Sequence, residues 1–364
     1  LYAAWRTQAV TGRQELKDWL SGNLCRCTGY GPILDAGETA LREPMPDGDA
    51  DADVLETLRT LDDGAMLDLA HGDQRWLTPR SANELAAIYA AHPEAILVGG
   101  ATDVGLWVTK QHRHLTTLID VSRVAELAAI EENDKTVTFG AAASLRAATA
   151  ALTMLHADLG EMMRRFASIP IRNAATLGGN IANGSPIGDL PPPLIALGAT
   201  VTLRRGDERR SLPLEDFFLA YGKQNRAPGE FVESVSVDRP GEDDLFACFK
   251  VSKRFDQDIS AVLAAMRLRV EAGRIADARL AYGGMAATPK RARQAEAALI
   301  GEPWAEASVE AACAALTKDF APIDDMRASA AYRMKAAQNC LRRFWHEHGA
   351  PGGEATRILE LADG

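Results

Sequence analysis

Thr176-Leu177-Gly178-Gly179-Asn180-Ile181-Ala182-Asn183-Gly184-Ser185-Pro186 gathers two hydroxyls, two carboxamides and three glycines in eleven residues. That is more hydrogen-bonding capacity than a connector needs. Upstream, Leu97-Val98-Gly99-Gly100-Ala101-Thr102-Asp103-Val104 runs an apolar strand into two glycines and a hydroxyl before a helical pattern. Backbone N–H groups bared by such turns beside a helix start make an anion site, and two of them suit a ligand with two phosphates. The other reading is a pair of turns that need glycine only for their backbone angles. Neither segment has the G-x-G-x-x-G spacing, so a Rossmann sheet is not what this pattern supports.

Outward from these segments the pattern alternates. Helices are expected at 82–91 and 145–157, strands at 95–98, 117–121 and 136–139, and an irregular stretch from Thr176 to Pro193. From about Asp244, strands at 246–252, 261–271 and 275–283 precede helices at 291–300, 304–317 and 328–348, which predicts a separate α+β domain. Before Ala40, short helices surround a Cys-containing loop, and Glu43–Asp53 is rich in Pro, Gly and Asp, as a linker is.

The 364 residues exceed one ordinary core, and 47% hydrophobic with 25% charged residues is a globular composition. A formal charge of −10 argues against nucleic acid or an anionic membrane as partner. No apolar run is long enough to span a bilayer and the start is unlike a signal peptide, so a cytoplasmic location is expected. The start, Leu1-Tyr2-Ala3-Ala4-Trp5, lies within a helical pattern, from which a preceding segment is expected.

Five cysteines do not read as a disulfide framework. Cys248, Cys313 and Cys340 lie in apolar patterns and are expected in cores. Cys25-Arg26-Cys27 places two thiols where one loop could bring both to a metal centre. Two ligands do not close a four-cysteine site, so either the pair is structural or its partners lie elsewhere.

Gly22-Asn23-Leu24-Cys25-Arg26-Cys27-Thr28-Gly29-Tyr30 resembles the cluster-binding signature of the molybdenum hydroxylases, the xanthine dehydrogenase and aldehyde oxidase family. The resemblance continues through both glycine segments, Ser185-Pro186-Ile187-Gly188-Asp189, Gly283-Gly284-Met285-Ala286 and Arg327–Arg333. It implies an α+β protein with a partial helical [2Fe-2S] domain (1–43) and a linker (44–66). A vanillyl-alcohol-oxidase-type two-subdomain FAD domain (67–240) follows, then a C-terminal α+β domain (241–364) similar to that of the CO dehydrogenase flavoprotein. It implies FAD contacts at Leu97, Val98, Gly99, Gly100, Ala101, Thr102, Asp103 and Val104. Further contacts are implied at Phe166, Thr176, Leu177, Gly178, Gly179, Asn180, Ser185, Asp189, Val232 and Lys250, and cluster ligation at Cys25 and Cys27.

No residue of this chain is expected to be catalytic. The resemblance implies a molybdopterin-binding large subunit in an (αβ)2 heterotetramer and electron flow through two [2Fe-2S] clusters and FAD to NAD+. Because Cys25 and Cys27 precede the flavin segments in one chain, the arrangement is similar to the small subunit of bacterial xanthine dehydrogenase. Another molybdenum hydroxylase acting on aldehydes, CO or N-heterocycles, a stand-alone FAD oxidase and a zinc-stabilised interaction protein are the alternatives. Lys253 and Arg254 are expected to hold the loop beside the flavin or to attract NAD+.

In the intact enzyme, Cys25→Ala or Cys27→Ala is expected to remove one of two cluster signals in electron paramagnetic resonance. Survival of both signals would reject the ligand assignment.

Overall fold

The computed structural model describes residues 1–23, 29–44, 51–351, 353 and 356. Cys25 and Cys27 lie outside the described residues.

Three short helices, Tyr2–Thr7, Arg13–Leu20 and Tyr30–Ala40, form the first unit. Leu16 is fully buried where Gly37 lets the third helix approach: a Cβ at Gly37 would meet the Leu16 side chain at 2.9 Å. The linker differs from expectation in containing a helix, Ala52–Thr60, although none of its residues is buried. Its four-residue spacing of Val54 and Leu58 has helical periodicity without a partner surface among the described residues.

A four-stranded sheet follows, ordered 67–71, 74–78, 117–120, 96–98, with an antiparallel first pair and two parallel pairs. Helix Ala82–Ala91 covers it and starts on Ser81, whose hydroxyl accepts from Glu84 N–H. The second sheet is antiparallel and five-stranded, ordered 130–132, 136–140, 231–238, 200–205, 208–213. Along 200–205 and 231–238, Val201, Leu203, Val235 and Val237 alternate inward. They meet helices Leu145–Leu155 and Ala157–Arg165 in one core.

The expected helix at 145–157 is broken at His156, whose backbone is extended and whose imidazole caps Asp158 N–H. The stretch expected to be irregular contains helices Leu177–Ala182 and Pro191–Ala196. Prolines are admitted at the start of the second because the first-turn N–H groups need no intrahelical acceptor.

The last unit is an antiparallel sheet, Asp244–Val251, Val262–Glu271, Arg274–Gly283 and Lys290–Arg291, packed by helices Arg293–Leu299, Glu306–Asp319 and Ala330–His348. Cys248, Cys313 and Cys340 are buried and free. Arg333 is fully buried; its guanidinium donates to the carbonyl of Ala261, to the Gly284 carbonyl at 2.9 Å and to Asp325 at 2.6 Å. No described helix is long and apolar enough to cross a membrane.

Burial acts to raise the Asp325 carboxyl, but N–H groups of Arg327 and Ala328 and the guanidinium groups of Arg333 and Arg327 outweigh it. Its pKa is held well below the usual carboxylate range. A depressed folded pKa stabilises the fold above the unfolded value of about 4, and that stability is lost as pH falls below it. Asp325→Asn is therefore expected to lower the melting temperature at pH 7. It should also flatten the fall in melting temperature between pH 6 and pH 3, as followed by circular dichroism; an unchanged slope would reject the linkage.

Candidate functional site

The two glycine segments meet. A Cβ on Gly100 would stand 1.7 Å from the Ala174 carbonyl oxygen, and one on Gly99 would stand 3.0 Å from Thr176 Oγ1. Side chains at these positions would force the segments apart. Along their junction runs a cleft of about 850 Å³, within the size range of cofactor sites.

The segments differ in what they offer. In the second, Leu177 and Gly178 N–H donate to the carbonyls of Ala143 and Ala141, Gly179 N–H to Thr176 Oγ1 and Asn180 N–H to the Thr176 carbonyl. Its first-turn donors are therefore satisfied within the protein, contrary to the expected second cradle. Its contribution is the Thr176 hydroxyl, the Asn180 carboxamide and close approach at two glycines.

In the first segment, the N–H groups of Gly100, Ala101, Thr102 and Asp103 make no hydrogen bond among the described residues. Ala101 has φ of 57°, a left-handed conformation that turns successive N–H groups toward one point, at a cost on the order of 1 kcal/mol. Asp103 lines the cleft, and burial pushes its carboxyl up.

Thirteen of the eighteen expected FAD contacts line the cleft: Leu97, Gly99, Gly100, Ala101, Thr102, Asp103, Val104, Phe166, Thr176, Gly178, Gly179, Asn180 and Val232. Val98 and Leu177 turn into the core, since neighbouring residues of an apolar strand and of a packed helix must do so. Ser185, Asp189 and Lys250 also lie off the cleft wall. Ser185 accepts from Ile187 N–H in a turn. Lys250 Nζ donates to Asp189 Oδ2 at 2.5 Å and to Ser260 Oγ at 2.8 Å, and Ser260 Oγ donates to Asp189 Oδ1 at 2.6 Å. This buried network ties strand 244–251 to the chain following the second glycine segment and so acts on the cleft through its wall.

Arginines on either side of Phe166 fix its surroundings. Arg172, buried, donates to the Phe166 carbonyl at 2.5 Å. Arg165 donates to the carbonyls of Lys250 and Phe255 and to Ser252 Oγ, with its guanidinium 4.5 Å from the Phe255 ring centre. Lys253 donates to the Met326 carbonyl and Arg254 to the Gln257 carbonyl, so both have roles in holding the loop. The helical unit abuts here as well: a Cβ on Gly22 would contact Ser168 and Pro170 at 3.2–3.3 Å, and Arg164 pairs with Asp18 at 3.0 Å.

Sequence reasoning missed Tyr89, Trp107, Arg113, Tyr221, Gln224 and Arg226 on the cleft wall. Arg113 stacks over Trp107 at 4.3 Å. Free N–H donors, side-chain-free approach and cationic side chains fit a dinucleotide such as FAD.

Residues 70–240 match the FAD binding domain in molybdopterin dehydrogenase, 247–348 the CO dehydrogenase flavoprotein C-terminal domain, and 1–38 a [2Fe-2S] binding domain. A nicotinate hydroxylase of Emericella nidulans is 28% identical, covering 95% of this chain and 34% of that protein. Xanthine dehydrogenase of Drosophila subobscura is 30% identical, covering 83% of this chain and 27% of that protein. The chain thus spans about a third of the length of the curated relatives it matches. Among solved structures, carbon monoxide dehydrogenase from Hydrogenophaga pseudoflava superposes with a TM-score of 0.70 at 26% identity, covering 76% of this chain and 96% of that one. Quinoline 2-oxidoreductase from Pseudomonas putida 86 gives 0.68 at 22% identity, again covering 76% and 96%, and shares the fold.

Among the described residues no histidine or cysteine lines the cleft, so the flavin is expected to be bound non-covalently and released by acid precipitation. Yellow protein in the pellet would refute this. Gly179→Val places its side chain on Thr176 Oγ1, 2.8 Å from a Cβ, and is expected to abolish flavin retention. Normal flavin absorbance per protein in that variant would show that the segment has only a packing role.

Proposed function

This chain belongs to the molybdenum hydroxylase family and carries its FAD and [2Fe-2S] domains, and we propose that it is the iron–sulfur/FAD subunit of a xanthine dehydrogenase. In this reading a molybdopterin-binding partner subunit oxidises hypoxanthine and xanthine to urate, NAD+ receives the electrons, and two of each subunit assemble. The observation that carries the proposal is the placement of the helical unit within the same chain. Gly22, three residues before Cys25, packs on Ser168 and Pro170, close in sequence to Phe166 on the cleft wall. The share of this chain covered by carbon monoxide dehydrogenase is about that of its two flavoprotein domains, which fits an extra cluster-binding unit fused ahead of them.

FAD, when bound, supplies the conversion between single electrons and electron pairs. The chain's own residues position it. The N–H groups of Gly100–Asp103 hold phosphate, the Thr176 and Asn180 side chains border it, and Phe166, whose carbonyl accepts from Arg172, shapes the part of the cleft beside the cluster unit. Lys250, Asp189 and Ser260 keep that wall rigid. Cys25 and Cys27 supply two cluster ligands. The domain limits proposed are 1–43, 44–66, 67–240 and 241–364.

The relationship to nicotinate hydroxylase favours a second reading, a flavin subunit whose partner acts on another N-heterocycle.

Anaerobic addition of xanthine to the intact complex is expected to bleach flavin and iron–sulfur absorption, and NAD+ to restore it. Bleaching by nicotinate and not xanthine would favour the second reading; recovery with oxygen and not NAD+ would overturn the acceptor assignment.

A further inference from the structure

Resting on the reading of the cleft as an FAD site, we propose that Arg226 binds the adenylate half of the dinucleotide and sets the preference for FAD over FMN. Arg226 is on the cleft wall with Tyr89, Ala95 and Phe231. Its Nη1 donates to the Glu230 carbonyl at 2.8 Å and reaches the Tyr89 hydroxyl at 3.4 Å, which anchors the guanidinium between helix Ala82–Ala91 and the start of strand 231–238. Its Nε–H is buried, and its Nη2, which makes no hydrogen bond among the described residues, is the donor left open to the cleft. Among the described residues it has no carboxylate partner. Glu230, the nearest acid in sequence, commits its oxygens to Arg210 at 2.7 Å and to Ala227 N–H at 2.6 Å. An anchored guanidinium with an open, unused donor and no counter-anion favours a ligand bearing acceptor oxygens or nitrogens.

The direction of the ligand follows from where the cluster-binding unit packs. Phe166 marks the end against which the cluster-binding unit packs, through Ser168 and Pro170. A redox-active ring belongs at that end. Tyr89, in helix Ala82–Ala91, and Phe231, which meet edge to face, belong to the part of the wall where Arg226 is anchored. The free N–H groups of Gly100–Asp103 supply a phosphate site in the same cleft, and the proposal puts the rest of the dinucleotide at Arg226. Phosphate oxygens and adenine ring nitrogens are both acceptors for the Nη2 donors; FMN provides neither a second phosphate nor a base there.

The test uses the full chain stripped of flavin, with binding read by quenching of flavin fluorescence. Arg226→Leu is expected to weaken FAD about 10- to 100-fold, the effect of losing a hydrogen bond from a charged donor, and to leave FMN affinity unchanged. Competition by ADP and adenosine identifies the acceptor: loss for ADP alone assigns phosphate, and loss for both assigns the base. Equal weakening of FAD and FMN, or unaltered FAD affinity, would overturn the proposal. Failure of the unmodified chain to bind FAD would instead overturn the reading of the cleft. If Arg226→Leu does not fold, Arg226→Lys carries the same test, because it keeps the charge and lacks the planar guanidinium that is anchored through Nη1 while presenting Nη2. It should also favour FMN relative to the unmodified chain, and an unchanged FAD-to-FMN ratio would overturn the proposal.

Discussion

The missing side chain at Gly100 is the constraint on which the cleft depends. A single methyl there would lie inside the van der Waals radius of the Ala174 carbonyl oxygen, so the first glycine segment touches the chain leading into the second only because nothing projects between them. From that contact the rest follows. The residue after strand 96–98, Gly99, lies against Thr176, the N–H groups from Gly100 to Asp103 are left without an acceptor among the described residues, and Ala101 has a left-handed conformation. Ala101 itself is exposed, and its strain is tolerated because the close contact at Gly100 fixes the chain beside it.

Around this contact, ionic ties fix the other parts. Lys250 with Asp189 joins the C-terminal sheet to the wall of the cleft, and Arg164 with Asp18 joins the helical unit to the helix that ends at Phe166. Desolvation limits what such pairs add to net stability, whereas removing one partner leaves a buried charge and is costly. Their effect is to hold one arrangement among several that apolar packing alone would accept. Burial also pushes up the Asp18 carboxyl, against the pull of Arg164, so this tie is weaker than its geometry suggests.

Much of this was legible in residue order. The strands and helices after Asp244 have strong periodicity, and both glycine segments stand out by composition. The five-stranded sheet was harder: Glu208–Pro213 is an edge strand of mostly exposed polar residues, and its neighbours mix Thr and Arg with Val. Which glycine segment keeps free donors was not legible either. That depends on the carbonyls of Ala141 and Ala143, more than thirty residues upstream, reaching Leu177 and Gly178. Arg226 gives no local signal, because a lone arginine after a turn is ordinary until the fold takes away its counter-anion.

Helix Ala52–Thr60 buries none of its residues, and the helical unit reaches the flavin domain through Asp18 and Gly22 instead. The covalent connection, whose described contacts are polar ones at its ends, therefore acts as a tether that raises the local concentration of one surface near the other. Genetically, such a joint is permissive. Cutting the reading frame there, or inserting sequence, would leave every core intact, and the same two modules could be inherited as one gene or as two while the contact between them is preserved.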